Sequence, residues 1–236
     1  MSNQNAINAP TPITVSNGGS GLSSQTAYRI LTGGTSNTGN LQNLASIGNL
    51  GQSVKSNGAN ALASFTGAGW VLIQSQTANN SASLDFTTGF SSNYANYIMV
   101  FQQIIPATDA TILRGQISSD GGATWITSGY QSGINSSLYN SATQTNTNST
   151  AAFVFSNALS NTGGNTAGMS GIIQISNLGQ TAWQATQGCI VTSAAGRGLQ
   201  CGGYNANYSF NANAIKFFMS SGNITSGTIL IYGLSK

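Results

Sequence analysis

The sequence predicts an all-β protein: an antiparallel, jelly-roll-like β-sandwich preceded by an extended Gly/Asn/Thr-rich N-terminal segment. Three observations predict it. From Trp70 onward, apolar residues recur at every second position, the period of a strand with one buried face. Clusters of Gly, Asn, Ser and Thr, such as Ser160-Asn161-Thr162-Gly163-Gly164-Asn165 and Ser220-Ser221-Gly222-Asn223, separate these runs. No stretch of this half shows the 3.6-residue period of an amphipathic helix.

Residues 1–13 are polar, contain Pro10 and Pro12, and read as a flexible arm. In residues 14–69 the turn-rich run Asn17-Gly18-Gly19-Ser20-Gly21-Leu22 is loosely echoed by Thr32-Gly33-Gly34-Thr35-Ser36-Asn37 and by Ser56-Asn57-Gly58-Ala59-Asn60. This is a degenerate repeat rather than a solenoid. Its apolar residues are sparse, and ordering each residue costs roughly 1–2 kcal/mol of backbone entropy. The segment is therefore expected to be flexible, docked, or intertwined with copies of itself. Three intertwined copies would bury what one cannot and cover exposed strand edges, which predicts a homotrimer. The spacing of Leu41, Leu44 and Ile47 allows one short helical turn.

Residues 70–236 form the expected head domain. Trp70-Val71-Leu72-Ile73-Gln74-Ser75-Gln76 is its first strand, and the run from Tyr97 to Ile105 is apolar on both faces, the pattern of a central strand. Further strands are expected at 83–86, 112–118, 151–156, 171–176, 183–192, 199–204, 214–220 and 228–234. About ten short strands spaced in this way indicate a sandwich or jelly roll. The long polar stretch 129–148 is expected to be a loop, of a size that favours function.

The composition excludes several function classes. The chain of 236 residues has no His, and its only carboxylate side chains are Asp85, Asp109 and Asp120. Charged residues make up 4%, against about 25% in an average soluble protein. Acid–base and nucleophilic catalysis draw on the residue types that are missing, so no enzyme activity is expected. The net charge of +3 comes from six scattered Lys and Arg that form no patch, which argues against nucleic acid as a partner. With 39% hydrophobic residues and little charge, the chain is not of the disordered type. No apolar run approaches the roughly 20 residues of a spanning helix, so membrane insertion is not expected. The start, Met1-Ser2-Asn3-Gln4-Asn5, lacks the basic and apolar regions of an export signal, which predicts a route other than Sec-type export.

The sharpest local motif is Ser118-Ser119-Asp120-Gly121-Gly122-Ala123-Thr124-Trp125. It resembles the Asp-box, S-x-D-x-G-x-[ST]-W, of sialidases and other β-proteins. Asp120 can accept turn amides, Gly122 permits positive φ, and Trp125 can pack over the hairpin. In those families the box is structural, which implies the same for Ser118, Asp120, Gly122, Thr124 and Trp125. Asp109 and Asp120, the carboxylates nearest in sequence, read as turn caps rather than the flanking pair of a glycosidase. Cys189 and Cys201 flank a turn-like composition, Thr192 to Gly198; they face each other if the hairpin centres on Ala195, so a disulfide and two buried thiols both fit. No metal site is expected from two Cys without His, and no cofactor is implied. Trp125, Tyr130, Tyr139, Tyr204 and Tyr208 are candidate glycan- or receptor-binding rings, with packing at a sheet edge or subunit interface as the structural alternative.

The stretch Asn17-Gly18-Gly19-Ser20-Gly21-Leu22-Ser23-Ser24, with Ala27-Tyr28 and Leu31-Thr32-Gly33-Gly34-Thr35, resembles an N-terminal repeat of bacteriophage tail-fibre and related virion proteins. Ser56-Asn57-Gly58-Ala59 resembles its continuation. Trp70-Val71-Leu72-Ile73, Tyr97-Ile98-Met99-Val100-Phe101, Ile105-Pro106-Ala107-Thr108-Asp109, Ser119-Asp120-Gly121-Gly122 and Ser220-Ser221-Gly222-Asn223-Ile224 are similar to the head domain that often follows. The resemblance covers most of residues 14–236. It implies a fibre-type virion protein, commonly a homotrimer, made in the host cytoplasm and exposed on the particle. Its N-terminal segment would meet other virion tail or capsid proteins, and its head a host surface glycan or receptor. The family carries no catalytic residues to transfer. A capsid-decorating or tail adaptor protein is the first rival. A tailspike-type glycan hydrolase is the second, and the chain departs from that type in lacking a longer body and acidic clusters.

Overall fold

The structure, a computed structural model, describes residues 27–33, 41–44, 46–48, 52–58, 61–67, 69–138, 144–163, 167–182, 184–192, 197–205 and 211–235. All strand pairing is antiparallel, and no helix occurs among the described residues. The chain divides into two units, Met1–Ala68 and Gly69–Lys236.

In the first unit β1 (Leu31–Thr32) pairs with β2 (Gln42–Asn43), and β3 (Gln52–Lys55) pairs with β4 (Ser64–Gly67). The helical turn expected around Leu41, Leu44 and Ile47 is replaced by β2. A lone turn fixes several residues for few hydrogen bonds, whereas here the Leu44 N–H donates to the Ile30 carbonyl at 3.0 Å. Arg29 Nη1 also donates to the Leu44 carbonyl at 2.8 Å. Leu44 is buried, but Tyr28, Ile47 and Val54 stand exposed, in keeping with a segment too poor in apolar residues for a large core.

The second unit contains β5 (Trp70–Thr77), β6 (Ser83–Phe86), β7 (Tyr94–Pro106), β8 (Leu113–Ser118), β9 (Tyr130–Leu138), β10 (Gln144–Ser149), β11 (Phe153–Val154), β12 (Met169–Ser176), β13 (Ala185–Thr192), β14 (Arg197–Asn205), β15 (Ala214–Met219) and β16 (Ile224–Ser235). They form an eight-stranded sheet, β10-β9-β14-β13-β12-β7-β16-β5, and a four-stranded sheet, β11-β8-β15-β6. The sheets pack face to face as a β-sandwich. Tyr97, Met99 and Phe101 of β7, Ile173 and Ile175 of β12, and Ile229 and Ile231 of β16 are all buried, every second residue of their strands. Across the core Phe101 meets Phe217 of β15 edge to face, with ring centroids 5.4 Å apart. Phe217 in turn meets Phe86 of β6 at 5.8 Å.

The stretch 129–148 is not the loop expected from its polarity: its described part holds β9 and β10, and β9 also pairs with β14. Tyr130, Ser132 and Ile134 point inward and are buried, while Gln131 and Asn135 point outward. A serine in the inward set hides the alternation. The Ser132 hydroxyl accepts the Val154 N–H at 2.9 Å, which makes its burial tolerable.

Candidate functional site

The turn after β8 is built by its own side chains. The Ser118 hydroxyl accepts the N–H groups of Asp120 (3.2 Å) and Gly122 (3.0 Å) and donates to Asp120 Oδ1 at 2.6 Å. Asp120 also accepts the Thr124 N–H at 2.9 Å and the Thr124 hydroxyl at 2.5 Å. These bonds, from Ser118 first and then from Thr124, hold the Asp120 carboxyl far below the usual carboxylate range. Gly122 has φ +92°, and a Cβ there would lie 2.8 Å from Thr87 Cγ2 and 3.2 Å from Trp125 Cζ2. The turn thus uses a glycine both for its backbone and for the approach of the indole.

Tyr130 is a correction to the candidate rings. It is 1% exposed and offers no face to a ligand. Its ring packs on Phe153 with centroids 4.9 Å apart. Its hydroxyl accepts the Ile117 N–H at 3.0 Å and donates to the Ile126 carbonyl at 3.1 Å. The Ile126 N–H meets the Ile117 carbonyl directly at 2.9 Å. The phenol therefore stands in for the second bond of a narrow ladder pair and stitches the Asp120 turn shut. Burial pushes its pKa well above the ordinary tyrosine range.

Trp125 is half-buried over the outer face of the four-stranded sheet. Lys216 Nζ lies 5.0 Å from its ring centroid and 5.2 Å from that of Phe218, so the ammonium sits between two aromatic rings. Register places Asp85, Lys216 and Gln116 in one row across this face, and Ser83, Phe218 and Arg114 in the next. Arg114 Nε is buried without a hydrogen-bond partner. Lys216, Phe218 and Arg114 escaped the sequence reading, although Ala214-Ile215-Lys216-Phe217-Phe218-Met219 carries a signal: one cation inside a short apolar strand, with an aromatic two residues on.

From this face a hydrogen bond leads to a concavity. Gln116 Nε2 donates to the Ala151 carbonyl at 3.0 Å. Ala151 lines an open depression of about 700 Å³ together with Gln131, Ser132, Gly133, Ser149 and Thr150. On its other side the Tyr204 hydroxyl donates to Gln131 Oε1 at 2.7 Å. Tyr204 lies on the outer face of the eight-stranded sheet, opposite Gln131. Trp125, in the turn after β8, thus lies over the four-stranded sheet, whereas Tyr204 belongs to the eight-stranded sheet. Tyr139 and Tyr208 lie outside the described residues.

The disulfide is also corrected. Cys189 pairs with Gln200 and Cys201 with Gly188, because the hairpin centres half a residue before Ala195. An offset of one residue assigns the two positions to opposite sheet faces, and Cys189 is a free, exposed thiol.

Asp109 accepts the Asn161 N–H at 3.1 Å, as a turn cap would. Among the described residues no three His, Cys, Asp or Glu side chains stand together as a metal site. No helix there is long and apolar enough to cross a membrane. No family model, no curated protein and no solved structure matches the chain.

Proposed function

We propose that this chain is a non-enzymatic, fibre-type virion protein whose head adheres to host surface glycan. In this reading residues 14–69 join it to copies of itself in a homotrimer and to other virion tail or capsid proteins. The observation that supports adhesion is the depression bounded by Gln131 and Ala151, with Tyr204 bonded at its rim. Its volume falls in the range of roughly 300–1,000 Å³ common for ligand sites. Amide, hydroxyl and backbone groups line it, and none of the lining residues is charged. Such groups both donate and accept, as sugar hydroxyls require, and a tyrosine ring adds an apolar face. The ligand class this favours is a neutral saccharide.

Support for a non-enzymatic role comes from the carboxylates. Hydrolysis of a glycoside calls for two carboxyls flanking the bond, one of them protonated. Asp120 is held ionised by its turn, and Asp109 caps Asn161.

The full chain is expected to bind bacterial host cells and fragments of their surface polysaccharide on a glycan array. Tyr204→Ala and Gln131→Ala should each weaken that binding about tenfold, equivalent to about 1.4 kcal/mol. If the unaltered chain binds neither cells nor glycans, adhesion is wrong and the capsid-decorating or adaptor reading replaces it. Release of reducing ends from the polysaccharide would refute the non-enzymatic assignment.

A further inference from the structure

The eight-stranded sheet has one face against the core and one against solvent, yet its central strands are apolar on both. On β7 Tyr97, Met99 and Phe101 are buried, and Ile98 and Val100 point the other way. On β16 Leu230 and Tyr232 do the same, alternating with buried Ile229 and Ile231. Register joins these outward residues into two rows. One runs Leu72–Tyr232–Ile98 and ends at Gln174, and the next runs from Ser75 through Leu230, Val100 and Ile172 to Cys189. Leu72 is 51% exposed, Ile172 53% and Val191 of β13 64%. An antiparallel sheet that leaves one face in water ordinarily makes that face polar, and runs apolar on both sides mark strands covered on both sides. Beyond β13 the same face turns polar, with Gln131, Gly133 and Asn135 on β9.

We infer that this face is a self-association surface, covered in the assembled protein by a second copy of the chain. Three observations select that occupant. None of the five strands β5, β16, β7, β12 and β13 contains a charged residue. Identical copies carry identical charges, and the net charge of +3 makes them repel; on a neutral surface they meet without like-charge contact. A neutral face also gives an acidic or basic partner no electrostatic handle. Size is the second observation. Five strands at about 4.8 Å spacing and about eight residues of 3.4 Å rise give roughly 600 Å² in projection. That area includes polar positions such as Ser75 and Gln174, and it is close to the roughly 800 Å² each partner gives to a stable complex. Third, β5 ends the sheet as an edge strand without Lys or Pro, the residues that usually guard such edges. An apolar centre with a polar border is also how interfaces are built. The inference goes beyond the function proposed above, which places assembly in residues 14–69.

Sedimentation of the full chain tests it. Ile172→Lys and Leu72→Lys put charge on exposed positions and should each weaken self-association about 100-fold, with circular dichroism unchanged. A second readout needs no substitution: the alkylation rate of Cys189, which sits beside Ile172, read by mass spectrometry of its peptide. The rate should fall as protein concentration rises. A full chain that stays monomeric, lysine variants that fold and assemble like the parent, or a Cys189 rate independent of concentration would each overturn the inference. If the lysine variants do not fold, the thiol measurement decides alone. Loss of glycan binding with assembly intact would strike the proposed function and leave this surface standing.

Discussion

Tyr130 shows how one side chain can serve the backbone. Its hydroxyl replaces a missing ladder bond between Ile117 and Ile126 while its ring fills the core beside Phe153. Tyr130→Phe keeps the ring and strands the Ile117 N–H, which is buried. Leaving such a group unsatisfied costs about 1–3 kcal/mol, so a lower denaturation midpoint with an unchanged denaturant dependence is expected in urea. The role of Asp120 was legible beforehand, because the Ser118–Trp125 motif has fixed spacing and every bond in it is local. That of Tyr130 was not. An aromatic within polar sequence points inward or outward according to the register of its strand, and that register is set by pairing with β10 across the hairpin and with β14, far away in the chain.

Among the elements, those whose inward positions are uniformly apolar were readable. β5, β12 and β16 follow from alternation, β7 from a run apolar on both faces, and β6 begins and ends where the pattern places it. The β9–β10 hairpin was invisible because its strands are mostly Asn, Ser, Thr and Gln, and pairing there is carried by the backbone. The cysteine pair fell to a related limit: a turn composition locates a hairpin only to within a residue, and one residue exchanges the two faces. The join between β7 and β12 supplies a prediction at this scale. β7 bulges at Gln103, which has φ +49°, and the chain entering β12 passes against it. Gly168 there has φ +77°, and a Cβ would sit against the Ile104 carbonyl oxygen and within 2.7 Å of its carbon. Neither backbone can yield easily, so Gly168→Ala should destabilise the head by more than about 1 kcal/mol, measured by thermal or urea unfolding.

For the whole molecule the scarcity of ionisable groups fixes the response to pH. With no His in the chain, nothing ordinarily titrates between the carboxylates and the tyrosines except thiols and the N-terminus. Asp120 has a depressed pKa, so the stability it adds is present above the ordinary carboxylate value near about 4 and is lost as pH falls below it. Tyr97, whose hydroxyl donates to the Ser91 carbonyl and accepts the Ser91 N–H, is pushed up to about 12 by burial, and Tyr130 is raised for the same reason. A raised pKa adds stability below the ordinary tyrosine value near about 10 that is lost as pH climbs through the folded value. The melting temperature should therefore be level from about pH 5 to 9 and fall at both extremes. Asp120→Asn should flatten the acid limb alone. A strong slope within the plateau would contradict this account.

The position of β16 has a consequence for how the head comes into being. It lies between β7 and β5, strands that precede it by more than a hundred residues; Thr228 bonds the hydroxyl of Thr77 across a separation of 151 positions. During synthesis β5 and β7 therefore emerge with the slot between them empty, and each keeps an open edge until residues 224–235 arrive. Such long-range closure is slow, because loop entropy must be overcome before the contacts form. A nascent chain that stalls before that point carries two unpaired apolar edges, the state most exposed to chaperones and to misassembly. β16 thus acts as a keystone, and completion of the sandwich reports that the polypeptide was made through to it.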